Sequence, residues 1–500
     1  MTNPEAYAQL IAQQRELAVL QSCSAVLGWD QQTYMPRAGA GFRGEQLALL
    51  AKLCHERATT HLVGECLNQL GDRAYPADSE EAANIHDVRR SYTRQSKLSS
   101  RFVEELATVT TLAQEAWLEA RATNHFKLFE PHLSAVLKLK REEAQAVGVP
   151  AGGHLYDALL DEYEPGATTP EVLTLFADLR RELVPMIQAA KPTDTGVLHR
   201  AFPVDRQRFF AEGVAAAMGF DFQAGRLDTT AHPFCSAFGP GDCRITTRFN
   251  PNHFNEAFFG VLHEAGHGMY EQGLRPQAFG TACGSFASLG FHESQSRFWE
   301  NQVGRSWPFW QGCLPRLKQA FPGLVDGASP AEIYKAVNSV QPSLIRVEAD
   351  QLTYNLHIGI RVELELALIS GDLAVHDLPG AWNDAYTKQL GVTPTTDAEG
   401  CLQDIHWSFG GFGYFATYTL GNLYASQLLA AIRRQDGDWD RSIRNFEFAG
   451  TLGWLRKNVH GHGRRFAPQE LCTRATGTVL SAEFWLAEIR EKVKHFNEVC

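Results

Sequence analysis

The chain has 500 residues, 44% of them hydrophobic and 21% charged. That is the balance of an ordinary soluble globular protein, with room for one large domain or several smaller ones. A net charge of −11 and a pI near 5.9, with no basic run of five or more, argue against a nucleic-acid partner. No stretch approaches eighteen apolar residues, and Met1-Thr-Asn-Pro-Glu-Ala-Tyr7 lacks a basic start followed by an apolar core. Neither a membrane span nor a secretory leader is expected.

Helical periodicity dominates the first 190 residues. Ala6 to Leu27, Ala38 to His55, Ser79 to Gln95, Arg101 to Ala122, His132 to Val147 and Pro170 to Ala190 all read as long amphipathic helices. Breaks are predicted at 71–76, 191–196, 321–327 and 391–396, where Gly, Pro, Asp and Thr cluster. These are short loops rather than linkers, and no internal repeat appears, so one domain over 1–500 is expected. Strand signals are few. The best is Cys243-Arg-Ile-Thr-Thr-Arg-Phe249, β-branched and bounded by Gly239-Pro-Gly241 and Asn250-Pro251. A free edge on that strand would suit an extended peptide. The ten cysteines form no C-x-x-C pair, which suits reduced thiols in the cytoplasm.

Directly after that strand comes an apolar run, 255–262, and then His263-Glu-Ala-Gly-His267. Two histidines four apart on a helix stack about 6 Å along the axis and can reach one zinc ion from the same side. Glu264 points off that axis, placed to hold and deprotonate a water rather than to bind metal. Gly266 and Gly268 each cost about 1 kcal/mol against Ala in a helix. They make sense if something must approach the helix closely.

A catalytic zinc usually has three protein ligands and one open position. Tyr270 and Gly273 break the metzincin continuation, and Ala287 stands where a thermolysin-like glutamate would be. Glu271 lies one turn beyond His267 on the same helix, where three successive side chains converge poorly on a tetrahedral ion. That leaves Glu293 in the helical stretch His292 to Val303, with Glu300 further along as the alternative. A loop holding Gly280, Gly284 and Gly290 separates the two helices.

These elements resemble the carboxypeptidase Taq family of thermostable metallocarboxypeptidases, and the likeness covers nearly the whole chain. His232-Pro-Phe234, Asp242-Cys-Arg-Ile-Thr246, the zinc helix, His292-Glu-Ser-Gln295, Ile345-Arg-Val-Glu-Ala-Asp350 and Gly400-Cys-Leu-Gln-Asp-Ile-His-Trp407 follow the order of the family's motifs. Trp29-Asp-Gln-Gln-Thr-Tyr-Met-Pro36 and the segment from Tyr156 to Gly166 look like further family blocks. The resemblance implies a mainly helical fold with a long substrate groove, a small sheet beside the zinc helix, and a homodimer. It implies one zinc per chain, replaceable by cobalt, on His263, His267 and Glu293, and it settles Glu293 over Glu300. It makes Tyr418 the preferred oxyanion donor, with Tyr414 a neighbour on the same glycine-opened segment.

A carboxypeptidase must also read a free carboxylate, for which a guanidinium is suited. Arg346 is the first choice and Arg244 the second, with His232 a further substrate contact. Gln403, Asp404 and His406 would close one end of the groove; Asp404 or Asp350 could equally orient a zinc histidine. The expected activity is release of single C-terminal residues from peptides with broad preference. The rivals are an oligopeptidase, which would also cut amidated peptides, and a zinc-stabilised binding protein, which would show a closed cysteine-rich site.

Overall fold

The computed structural model describes residues 1–71, 74–149, 151–191, 193–230 and 232–498. Of the predicted breaks, Asp72, Arg73 and Pro192 lie outside the described residues, as does Cys500 among the cysteines. All six long helices of the N-terminal part form, as Asn3–Thr33, Ala40–Ala58, Glu80–Ser96, Ser100–Thr123, Phe126–Val147 and Thr169–Ala189. Their ends follow capping chemistry. Thr2 opens the first helix with a capping box: its Oγ1 accepts from the Glu5 N–H, and the Glu5 carboxylate accepts from the Thr2 N–H. Asn124, at φ 53°, closes the helix Ser100–Thr123 in the left-handed conformation. The helix ending at Val147 starts at Phe126 and not at His132, running through Pro131 because Phe126, Phe129 and Leu133 share a buried face.

The chain divides into two compact units. The first comprises Met1–Ser96, Thr195–Val337 and Ala425–Val479; the second comprises Lys97–Asp194, Asn338–Tyr424 and Leu480–Cys500.

The first unit holds the sheet, with β1 at Gly225–Thr229, β2 at Cys235–Gly239 and β3 at Asp242–Thr247. The order is β1-β3-β2, with β3 parallel to β1 and antiparallel to β2. The strand expected to offer a free edge is therefore the central one, and both its edges are taken. The outer strand β2 is itself capped, since Ser22 Oγ donates to the Phe238 carbonyl. Peptide pairing along β3 is overturned by this order. β3 packs against the helix Phe254–Glu271, which buries Phe254, Phe258, Val261, Leu262, Ala265 and Met269. Phe202, Phe210 and Phe321 gather around Phe254 at centroid distances of 5.3–6.0 Å. Each such ring contributes about 1.5–3 kcal/mol on burial, so the helix carrying the H-E-x-x-H segment is anchored over its whole N-terminal half.

The second unit is built on the helix Gln351–Ser370, buried along most of its length. Asp350 opens it by accepting from the Leu352 and Thr353 amides at 2.9 and 3.1 Å. Ile358 and Ile360 join Leu183, Trp382 and Trp485 in one continuous core. Among the described residues no helix is long and apolar enough to cross a membrane.

Candidate metal centre

Within the first unit, His263, Glu264 and His267 lie on the helix Phe254–Glu271, and Glu293 on the helix Leu289–Arg297. Ser288 caps the latter, accepting from the Phe291 amide at 3.1 Å, so the helix starts three residues before the predicted point. The two helices touch at Gly266. A Cβ there would stand 2.5 Å from the Gln295 carbonyl oxygen and 2.6 Å from the Ser296 Cα. At Gly268 it would strike the Phe220 ring at 2.5 Å. The close approach that the glycines foretold is thus made by a neighbouring helix and ring. It brings Glu293 Oε2 to 3.6 Å from His263 Nε2 and 3.4 Å from His267 Nε2. The ligand atoms of His263, His267 and Glu293 lie within 4.8 Å of one another.

Charges beyond these three hold them. Arg297 donates from Nε to Glu293 Oε1 at 2.7 Å and from Nη1 to Glu300 Oε2 at 3.2 Å. Glu300 lies on a buried π-helical turn, Phe298–Val303, of the kind found at functional sites. Its Oε2 sits 2.9 Å from His263 Nδ1. That carboxylate accepts, so a ring proton is on Nδ1, and Nε2 is the nitrogen turned to Glu293. Burial would raise both acids, but Arg297 and the histidine His263 hold Glu293 well below the usual range and Glu300 near 2. Among the described residues no arginine is hydrogen-bonded to Glu264, and Arg297 lowers its pKa only weakly through space. Burial pushes it up to about 7, against the pull of His263 and with Glu293 and Glu300 adding to the rise. Burial and the neighbouring His292 lower His267 to about 3, keeping that imidazole neutral. Burial would lower His263, but Glu293 and Glu300 outweigh it and raise that imidazole. Two imidazole nitrogens and a carboxylate oxygen, which bind metal in their deprotonated forms, are a donor set that fits zinc.

Two other predicted residues belong to this unit, Arg244 and His232. Arg244, on β3, holds Asp242 with Nε and Nη2 at 2.9 and 2.8 Å and lies over the rings of Trp29 and Phe238 at 4.5 and 4.9 Å. His232 is exposed.

In the second unit Arg346, Gln403, Asp404, His406, Tyr414 and Tyr418 form one cluster. Arg346 Nε and Nη2 both donate to Asp404 Oδ1, at 2.9 and 2.8 Å, and its Nη1 donates to the Tyr354 hydroxyl at 3.2 Å. Arg361 takes the other oxygen, Nε to Asp404 Oδ2 at 2.6 Å, and reaches Gln403 Oε1 from Nη2 at 2.7 Å. The Arg346 guanidinium lies 4.9 Å from the Tyr418 ring centre. His406 Nε2 is 3.1 Å from the Tyr418 hydroxyl, and its ring is 5.1 Å from that of Tyr414. Burial lowers His406 to about 3 despite Asp404, with both arginines adding to the effect, so it meets Tyr418 as a neutral ring. Asp350, the other acid weighed as an orienter of a histidine, is spent on the helix cap.

Reading the sequence missed Arg297, Arg305 and Arg361. Arg297 carried a signal: it follows Glu293 by four residues, the spacing of a helical ion pair. Arg361 carried none, lying in an apolar stretch of a buried helix.

The family model of carboxypeptidase Taq (M32) metallopeptidases matches residues 9–493. The chain belongs to this family. Thermostable carboxypeptidase 1 of Thermus thermophilus is 45% identical, covering 98% of this chain and 99% of its own. Carboxypeptidase 1 of Bacillus subtilis is 36% identical, covering 94% of each. Among solved structures, an M32 carboxypeptidase from Deinococcus radiodurans matches with a TM-score of 0.95 and 39% identity, over 99% of this chain and 100% of the other. Metallocarboxypeptidase 1 of Trypanosoma cruzi matches at 0.91 and 33%, over 98% and 99%. The mainly helical fold with its small sheet is thus that of the M32 carboxypeptidases. The protein is a metallocarboxypeptidase, and its His-His-Glu group is able to bind the ion the family requires.

Proposed function

We propose that the protein is a zinc carboxypeptidase of the cytoplasm, releasing one C-terminal amino acid at a time from peptides with broad preference. The observation that carries this reading is the convergence of His263, His267 and Glu293 to within 4.8 Å, beside a buried Glu264 that no arginine neutralises. His263, His267 and Glu293 hold one zinc, and cobalt substitutes for it. Zinc, when bound, supplies Lewis acidity to the scissile carbonyl and lowers the pKa of water to about 7.

Glu264 takes the proton of the attacking water and delivers it to the leaving amine. A carboxyl whose proton affinity sits near neutrality is suited to both steps. Arg297 keeps Glu293 ionised as a ligand, and Glu300 fixes the tautomer of His263.

Tyr418 is assigned to the developing oxyanion, with Tyr414 and His232 as further substrate contacts. Arg346 is assigned to the substrate carboxylate, with Arg244 next in line. Gln403, Asp404 and His406 close off binding beyond the C-terminal residue. For these residues the support is the motif each belongs to, and for Arg346 also a guanidinium held rigidly by Asp404. The active form is a homodimer, on the strength of the family resemblance.

The test compares a free-acid peptide with its C-terminal amide by mass spectrometry of the product ladder. We expect single-residue steps from the free acid and a kcat/KM lower by one to two decades for the amide. A charge-assisted anchor is worth about 1.5–3 kcal/mol, which sets that ratio. Equal cutting of both peptides, or internal cleavage first, would favour an oligopeptidase.

A further inference from the structure

The two histidines are held in different ways. His263 follows the usual pattern for a metal-binding imidazole, with its second nitrogen on a carboxylate, Glu300, at 2.9 Å. His267 does not. Its Nδ1 is buried and has no hydrogen-bond partner among the described residues. A histidine ring turns about its outer torsion in a broad, shallow well, so an imidazole with no hydrogen bond there is poorly aimed. Something else must set the plane of His267.

The neighbour in position to do so is His292. Its ring lies flat on that of His267, with centroids 4.5 Å apart and planes 21° from parallel. His292 is itself fixed. Its Nε2 is 2.8 Å from Glu271 Oε1, and the Phe286 ring abuts it at 4.7 Å and 61°. Tyr270 adds a third ring at 5.7 Å. Glu271 comes four residues after His267 on the same helix, and His292 directly precedes Glu293 on the other. The stack therefore ties one member of the His-His-Glu group to the helix that carries another. The same carboxylate that is badly placed to bind the ion is well placed to hold the residue behind it.

We propose that His292 is a positioning residue for His267. Its imidazole, anchored by Glu271, fixes the plane of the His267 ring by stacking, where His263 is fixed by a hydrogen bond. The inference rests on the reading of His267 as a metal ligand. It touches neither substrate nor ion in that reading, so its effect is on how well the ion is held.

Zinc release from the holoenzyme into an excess of chelator provides the test, alongside the visible d–d spectrum of the cobalt-loaded protein. Loss of a residue that orients a metal ligand typically costs about 10–100-fold in metal affinity. His292→Ala should therefore release zinc faster by about that factor and shift the cobalt bands. His292→Phe retains a flat ring against His267 and should return both readouts close to wild type. A merely structural role would lower thermal stability and leave the cobalt spectrum unmoved. Wild-type release and spectrum in His292→Ala would overturn the proposal, as would a His292→Phe variant as impaired as the alanine. Should His292→Ala fail to fold, Glu271→Ala decides: faster release supports the anchored stack, and unchanged release overturns it. His267→Ala separates the two levels. If it keeps full zinc, the ligand reading falls and this inference with it; if it loses zinc while His292→Ala is unchanged, only the inference falls.

Discussion

Asp404 is bonded to two buried arginines, and Asp404→Asn isolates what that is worth. Arg346 is 8% exposed and Arg361 fully buried, and both of the aspartate's oxygens are in use. Asparagine keeps the shape, but its amide nitrogen would face a guanidinium with donor against donor. Two buried positive charges then share no counter-charge. Removing one partner of a buried ion pair costs about 3–5 kcal/mol, and this pair is doubled, so the upper part of that range applies. For a cooperative unit of roughly 150–250 residues each kcal/mol moves Tm by about 2–4 °C. The second unit should thus melt about 10–20 °C lower in calorimetry at pH 7. The sign with pH follows from the carboxyl. Burial would raise its pKa, but Arg346 and Arg361 more than offset this and hold it well below the usual aspartate range. Its stabilisation is complete above the unfolded value of about 3.9 and is lost as pH falls toward the native one. The gap between variant and wild type should therefore be widest at neutral pH and narrow below about pH 4. Asp404→Asn combined with Arg346→Met should recover part of the loss, since one stranded charge is gone. A single variant melting within about 2 °C of wild type at pH 7, where the cost should exceed 3 kcal/mol, would refute the reasoning.

Three further outcomes follow from the metal centre. Glu293→Ala should lose zinc as completely as His267→Ala, measured by elemental analysis after dialysis; full occupancy would remove Glu293 from the ligand set. Glu264→Gln should keep its zinc while kcat falls by about 10²–10⁴-fold, the worth of a positioned acid–base group. Near-normal turnover in a zinc-replete sample would mean another residue is the base. Gly266→Ala would gain about 1 kcal/mol of helix propensity but must push the Gln295 carbonyl aside, an overpacking cost of about 1–3 kcal/mol. A net loss of stability with weaker zinc binding is expected, and a stabilised variant with unchanged zinc would contradict the close helix contact.

What could be read in advance was what local spacing encodes. Long helices announced themselves by periodicity, and the His263–His267 interval needed only the helical pitch. Even Gly266 spoke through its poor propensity, although not of what approached it. Non-local pairing was the part that stayed hidden. The segment around Ile245 reads as a strand, but nothing in it tells that partners at 225–229 and 235–239 flank it on both sides, and so a free edge was expected where none exists. The motif of Arg346 suggested a substrate anchor but not that its Nε and Nη2 are held by Asp404, fifty-eight residues away in sequence. Pairings of that kind are fixed by the fold and leave no mark on the spacing of either partner.

Three buried carboxylates lie at the metal centre, and arginine geometry is what tells them apart. Arg297 stands between Glu293 and Glu300, one nitrogen on each, and Arg305 adds a second contact to Glu300 at 3.3 Å while resting on the Phe259 ring. Burial alone would protonate all three acids, since it penalises the charged form of each. Two are rescued by a cation in contact; Glu264 is not. A carboxylate that binds metal must stay ionised, whereas one that ferries a proton must be able to hold it. Both properties come from a helix spacing, Glu293 to Arg297 and Arg297 to Glu300, that puts the guanidinium in hydrogen-bond contact with two acids and leaves it acting on Glu264 only through space. In the proposed reading the division of labour is therefore written on the helix opposite the H-E-x-x-H segment and not within it, which is why the pentapeptide alone suggests a base without saying what would make it one.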